Sequence, residues 1–253
     1  MNEINFKGLN LGVSGDSITM GEQWSYYVFC ELEMASHHNT AVGSSVWYKR
    51  KYTANGVTVE TQDFNAPDFA GISDGWEPTE DIHEMQLRMN NCAVVHIQKF
   101  IAEVKSRKCP PPDIFVFAYG TNDDVQYIGN AEFALEGKKK RIEDTFTEAG
   151  AMRWCIQTIQ EQFPEARIFV CTPMQTGSPE HNKKIELQIE SMKKICTAMS
   201  VQMIDVYGGC GVCEKYEKWG KKGRYLKDGL HPDKDGQRLQ GRFILKEIVK
   251  NMF

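Results

Sequence analysis

Three residues of this chain have the types that acyl transfer needs, and two of them stand three positions apart: Asp228 and His231 in "DGLHPD", with Ser17 far upstream in "VSGDSITMG". Serine is a weak nucleophile until a neighbouring base takes its proton, and that base needs a third group to fix its tautomer. A turn of this length brings the Asp228 carboxylate back to the His231 imidazole. Pro232 and Asp233 then read as a helix start with Asp233 as its cap, which would hold His231 rigidly. The histidines at 37, 38, 83, 96 and 181 have no acidic residue at such a spacing on a turn. His96 falls within a helical pattern and reads as a core or surface residue. Ser17 follows the apolar run "LNLGV" and precedes "EQWSYYVFCELEM", which has helical length and spacing. A strand-to-helix turn of this kind holds a side chain out over the edge of a sheet. Acyl transfer also needs donors aimed at the oxygen that becomes negative. The candidates are the backbone amides of Ser17 and Gly43 and the side-chain amide of Asn122, which carries no charge to quench a nucleophile.

Elements must position these groups, and strand-like runs alternate with helix-like ones along the chain. "LNLGV" (9–13) leads to a helix over about 21–34 and then to a short strand, "NTAVG" (39–43). "NCAVVHIQKFIAEVK" (91–105) is helical in periodicity, and "CPPPD" stops it because proline lacks the amide hydrogen and clashes in a helix. "DIFVFAYG" (113–120) and "ARIFVCTP" (166–173) are apolar nearly throughout, as strands covered on both faces are, with a helix over 146–162 between them. A helix over 181–199, the strand "VQMIDVY" (201–207) and a helix over 233–253 complete the order. About five short strands alternating with helices predict a three-layer α/β/α sandwich around a central, mostly parallel sheet. We expect one domain over 1–253, with an insertion at about 47–84. Ligands of such sheets bind beyond the carboxyl ends of the strands. There "SGDS", "GSS", "GTND", "TPMQTG" and "DGLHPD" would converge.

Taken in order, "GDS" with Ser17, "AVGSS" with Gly43, "GTND" with Gly120 and Asn122, and "DGLHPD" with Asp228 and His231 resemble the blocks of the SGNH hydrolases, or GDSL-type esterases and lipases. The resemblance spans 15–233. It implies a flavodoxin-like fold and serine ester hydrolysis with no metal or cofactor. It assigns Ser17 as nucleophile, His231 as base and Asp228 as its orienter, with Ser17, Gly43 and Asn122 forming the oxyanion hole. The first block reads "GDSIT" where the family name has leucine, one apolar residue for another; the second block is less regular than the others. Each block alone admits a plainer reading. Thr19 with Glu22 fits a helix capping box, Asn122 and Asp123 fit a turn, and Asp228 with Gly229 fits another. Their joint occurrence in family order favours the catalytic account.

The stretch at 47–84 places Trp47, Tyr48 and Trp76 among polar and glycine residues, after the second strand and beside the catalytic edge. These aromatics are candidates for a substrate wall suited to a sugar or another partly polar ester, as in an O-deacetylase; the alternative is that they pack the insertion onto the body or form a subunit contact. A lysophospholipase or thioesterase on longer acyl chains would use the same machinery, and a binding module that has lost its chemistry would keep the fold. A net charge of -4, with 41% hydrophobic and 25% charged residues, offers no nucleic-acid surface, and the basic "KKKR" at 138–141 reads as a solvated helix face. No run reaches the roughly 18 apolar residues of a membrane span, and no signal segment opens the chain. The expected location is cytoplasmic, or secreted or periplasmic if a leader has been removed. Of eight cysteines, only Cys210 and Cys213 in "CGVC" have redox or metal spacing, without the second ligand pair of a structural zinc site. They read as two thiols on a loop, and no metal is expected.

Overall fold

The sheet's centre is its most apolar stretch. In the computed structural model, which describes residues 5–21, 23–136 and 144–252, strand β5 (Ile114–Ala118) lies between β1 (Asn10–Gly15) and β6 (Arg167–Cys171). Alternation of side chains across the pleat gives β5 two jobs. Ile114 and Val116 face one core with Leu11, Val13, Phe169 and Cys171. Phe115 and Phe117 face the other, with residues of the helices on that side. Gly12 in β1 makes room for this second layer, since a Cβ there would lie 2.7 Å from the Phe115 ring. Strands β2 (Ser36–Asn39) and β7 (Gln202–Ile204) form the edges, and all neighbours in the order β2-β1-β5-β6-β7 run parallel.

Helices cover both faces, as a parallel sheet requires. On one side α1 (Gln23–Glu31) packs through Trp24 and Val28 beside α8 (Lys234–Asn251) through Ile244 and Ile248. On the other lie α3 (Ala93–Lys105), α5 (Glu148–Gln162) and α6 (Pro179–Ala198). Counting only the sheet strands in chain order, the arrangement is 2-1-3-4-5, a doubly wound sheet whose connections reverse direction between β1 and β5. No helix among the described residues is long and apolar enough to cross a membrane.

Several elements differ from the sequence expectations. The second strand is the polar "SHHN" of β2, not "NTAVG", whose residues beyond Asn39 form the loop after it. Within "VQMIDVY" the strand stops at Ile204, where Asp205 accepts from Gly208 N at 2.9 Å and caps the short helix α7 (Val206–Gly209). The segment at 47–84 is partly regular. It holds an antiparallel hairpin of β3 (Lys51–Ala54) and β4 (Val57–Glu60), turned by Asn55 and Gly56, both with positive φ, and then leads into α2 (Ile82–Met89). Residue Glu22, half of the expected capping box, and the basic run at 138–141 lie outside the described residues. Helix α4 (Ala131–Leu135) precedes the latter.

Candidate active site

The end of β1 is held too tightly for any residue but glycine at 15: a Cβ there would lie 2.6 Å from both the Ala118 carbonyl of β5 and Thr19 Oγ1. The chain then turns, with Asp16 O accepting from Thr19 N at 3.0 Å and Met20 N at 2.8 Å. Ser17, half-buried, stands at the head of this turn. The Asp16 side chain is buried beneath it and takes hydrogen bonds from Ile18 N, at 3.0 Å, and from Thr121. Burial pushes the Asp16 carboxyl up to about 6, against the opposing pull of those hydrogen bonds and of His231. This carboxylate therefore ties the Ser17 turn to the loop after β5.

Across the strand ends, the turn before α8 supplies the other two groups. Asp228 Oδ1 accepts from Leu230 N at 2.9 Å and His231 N at 2.7 Å, and Oδ2 lies 2.8 Å from His231 Nδ1. An ionised carboxylate only accepts, so Nδ1 carries the proton and Nε2 is left as an acceptor. His231 Nε2 lies 2.9 Å from Ser17 Oγ, which therefore donates to it. Burial opposes ionisation of Asp228, yet the bonds from His231 and Leu230 outweigh it and hold the carboxyl below its usual range. Asp233 caps α8 by accepting from Asp235 N and Gly236 N, both at 3.0 Å, and Lys227 N donates to His231 O at 2.9 Å. The imidazole is thus fixed at a helix start and across a closed turn.

Asn122 follows Gly120, whose φ of 114° lets the chain leave β5 sharply; a Cβ there would lie 2.9 Å from Pro173. One hydrogen of the Asn122 amide goes to Ser45 O at 3.1 Å, and a primary amide has a second. Ser45 Oγ in turn donates to Gly15 O at 3.0 Å, which brings the loop after β2 to the end of β1. Gly43 lies on this loop. Its N–H points at the thioether of Met20, 3.2 Å away, its carbonyl accepts from the buried Asn91 Nδ2 at 2.7 Å, and a Cβ on it would overlap the Asp74 carboxylate. Asn91 and Asp16 escaped the sequence reading. The only signals were the "NN" pair ahead of α3 and an acidic residue beside the serine, and both pass for ordinary turn chemistry.

A cleft of about 600 Å³ opens beside these groups and reaches them through Asn122 and Leu230. Its walls include Trp76 and Trp219, 62% and 53% exposed, with Tyr48, Tyr127, Arg50 and Lys184 between them. His181 of α6 lies edge-on to Trp219 at 5.6 Å and donates through Nε2 to Thr121 O at 2.8 Å. Of the aromatics singled out at 47–84, Trp76 and Tyr48 line the cleft, Tyr48 while largely buried and accepting through its hydroxyl from Asp124 N at 3.3 Å. Trp47 is a correction: it is fully buried, packed on Phe117 and Tyr119 at ring distances of 5.6 and 4.9 Å, and cannot touch a substrate. Burial raises Asp123, on the cleft wall, to about 7, and burial with the charge of Asp123 raises Glu148 well above the usual carboxylate range. His96, buried against Tyr119 at 2.8 Å, is pushed down to about 3 by burial and stays neutral.

Cys210 is buried at the end of α7, and Cys213 is exposed before a short 3-10 turn; neither is in a disulfide. Among the described residues no group of three or more His, Cys, Asp or Glu side chains is arranged to hold a metal ion.

A doubly wound α/β sheet with a hydrogen-bonded serine, histidine and aspartate at its switch point defines a class, that of α/β hydrolytic enzymes able to run acyl transfer. Comparison with known proteins narrows it. The family model of the GDSL-like lipase/acylhydrolase family matches residues 13–239, and the chain belongs to that family of ester hydrolases. No curated protein matches the chain. Among solved structures, a protein of Lactobacillus plantarum is 14% identical, with a TM-score of 0.60 over 99% of each chain. A lipase/acylhydrolase of Enterococcus faecalis is 17% identical, with a TM-score of 0.53 over 96% of each chain. A GDSL-like lipase of Bacteroides thetaiotaomicron is 14% identical, with a TM-score of 0.53 over 100% of this chain and 93% of that one. At these identities the likeness is one of fold.

Proposed function

We propose that the chain hydrolyses small carboxylic esters through an acyl-enzyme on Ser17, with a carbohydrate or similarly polar alcohol as leaving group and acetyl as the favoured acyl group. The observation that carries this reading is the unbroken chain Asp228–His231–Ser17, with links of 2.8 and 2.9 Å, beside an aromatic-walled cleft. In the first half-reaction Ser17 Oγ bonds to the ester carbonyl carbon while its proton passes to His231 Nε2. The carbonyl oxygen, now negative, is met by the amides of Ser17 and Gly43 and by Asn122 Nδ2. The tetrahedral adduct collapses, the C–O bond to the alcohol breaks, and His231 returns the proton to the departing oxygen. Water, deprotonated by His231, then attacks the acyl carbon and frees Ser17 and the acid.

The cleft supports a compact, polar substrate. Among the described residues Val46 and Leu230 are its only aliphatic walls, too few to sheathe a long acyl chain, and Trp76 and Trp219 offer exposed ring faces among charged and hydroxyl groups. The test is a p-nitrophenyl ester series from acetyl to decanoyl, with acetylated sugars beside it, on wild type and Ser17→Ala. Acetyl preference abolished by Ser17→Ala is the expected result. Decanoyl preference would overturn the substrate assignment, and activity that survives Ser17→Ala would overturn the nucleophile.

A further inference from the structure

The amide of Gly43, a donor in the proposed oxyanion hole, already has a partner: the Met20 sulfur at 3.2 Å. Met20 sits three residues after Ser17, on the turn fixed by Asp16 O. It is 41% exposed, whereas every other methionine among the described residues is buried or half-buried. Two independent features thus coincide at one side chain. Among the described residues it is the methionine most open to a dissolved oxidant, and its sulfur touches a group on which the chemistry depends.

We propose that Met20 is a peroxide-modification site, whose oxidation to the sulfoxide closes the oxyanion hole and silences the esterase. The inference rests on the assignment of Gly43 given above. In the oxidation, a sulfur lone pair attacks one oxygen of hydrogen peroxide and the O–O bond breaks. The sulfur loses two electrons and gains an oxygen, and the departing hydroxide takes up the remaining proton as water. A thioether is a weak acceptor, so a substrate oxyanion displaces the Met20 sulfur from Gly43 N at small cost. A sulfoxide oxygen is strongly polar and stands one bond beyond the sulfur, so that a small shift of the side chain brings it to the same N–H. It competes with the oxyanion for the donor and fills the space where the oxyanion must form. The change is reversible, because sulfoxide reductases restore the thioether.

The experiment treats the whole protein with hydrogen peroxide, then with dithiothreitol to return the exposed thiols of Cys30 and Cys213, and follows p-nitrophenyl acetate turnover beside peptide mass at residue 20. Losing one oxyanion donor typically costs about 10²–10³ in rate, so a loss of at least about ten-fold is expected at full oxidation of Met20. The loss should track the added oxygen at Met20, be absent in Met20→Leu and be reversed by methionine sulfoxide reductase. Met20→Gln, which puts a carbonyl oxygen near the sulfur position, should be slow without any peroxide. Should Met20→Leu fail to fold, the wild-type correlation, the reductase rescue and Met20→Gln decide the matter. Full oxidation at Met20 with turnover intact, or equal inactivation of Met20→Leu, overturns the proposal while leaving the Ser17 reading in place. Turnover that is absent before oxidation, or indifferent to Ser17→Ala, overturns both.

Discussion

Replacing Asp228 by asparagine changes one atom type and should cost almost all turnover. Oδ1 of Asp228 carries two backbone bonds, at 2.9 and 2.7 Å, and Oδ2 alone takes the imidazole proton, at 2.8 Å. Asparagine keeps one carbonyl oxygen, which the backbone pair claims, and its other branch becomes an NH₂ group with nothing to accept. Facing that donor, the imidazole leaves Nδ1 bare to accept from it and carries its proton on Nε2. There the proton points at Ser17 Oγ, and the base is gone. The expected loss is about 10⁴ in kcat, the size seen for the wrong tautomer in a Ser-His-Asp site, or about 5 kcal/mol of barrier. KM should move by less than about three-fold, because neither Asp228 nor His231 lines the cleft. The turn itself keeps its two backbone bonds, so the melting temperature should stay near that of wild type. Steady-state kinetics on p-nitrophenyl acetate, with thermal melting alongside, reads all three quantities. A kcat within about ten-fold of wild type, at unchanged melting temperature, would refute the reasoning, since the tautomer could not then limit the chemistry.

Asn122→Ala should lower kcat by about 10²–10³ with little change in KM; an unchanged kcat would remove this amide from the oxyanion hole. Asp16 titrates at about 6 in the folded chain, above the ordinary 3.8. The native state therefore holds a proton that the unfolded chain has released, so the stability this group contributes is full below about pH 4 and is lost as pH rises through about 6, on the order of 3 kcal/mol in all. Denaturant midpoints across that window should fall in wild type and fall less in Asp16→Asn; parallel curves would show that Asp16 is not the titrating group. Trp219→Ala and Trp76→Ala should each raise KM for acetylated sugars by roughly three- to ten-fold, the worth of one aromatic face, with kcat on p-nitrophenyl acetate retained. Equal effects on both substrates would place the two rings outside the leaving-group subsite.

What the sequence disclosed and what it hid follow from burial. The inner strands were legible because both faces of β1, β5 and β6 are covered, so most of their residues are apolar whichever way they point, with Asn10, Ser14 and Arg167 the polar ones. The edge strand β2 is only half-buried along its length, and "SHHN" lacks that signal, so the eye passes to the more apolar "NTAVG". The β3–β4 hairpin is largely solvated and turns only Tyr52 and Val59 inward, onto Met85 and Met89, too short a stripe to read as a strand pair; Asn55-Gly56 is its clearest mark. Trp47 misled for the opposite reason. An aromatic in a polar stretch reads as a surface ring, but residues 46–48 dip back into the core beside Phe117 before the chain emerges.

The candidate catalytic groups were legible because local spacing encodes part of their geometry: three residues suffice to fold Asp228 onto His231. The cleft was not legible as a whole, because Trp219 and Trp76 come to line it only through packing of segments more than a hundred residues apart. The same distinction separates the donors of the proposed oxyanion hole from what holds them. Gly43 and Asn122 stand in short recognisable blocks, and Ser45 and Asp16 share those blocks, but the bonds by which these two tie the loops together reach Gly15 and Thr121 at the ends of β1 and β5, where the winding of the sheet reverses, and Asn91 reaches Gly43 from ahead of α3. At that reversal the loops leaving neighbouring strands diverge to opposite faces and open a crevice. The side chains that bridge it must be polar, buried and drawn from distant parts of the chain. A buried polar group whose decisive partners are far away in sequence leaves no periodic trace, and its function can be read only after the fold has brought those partners to it.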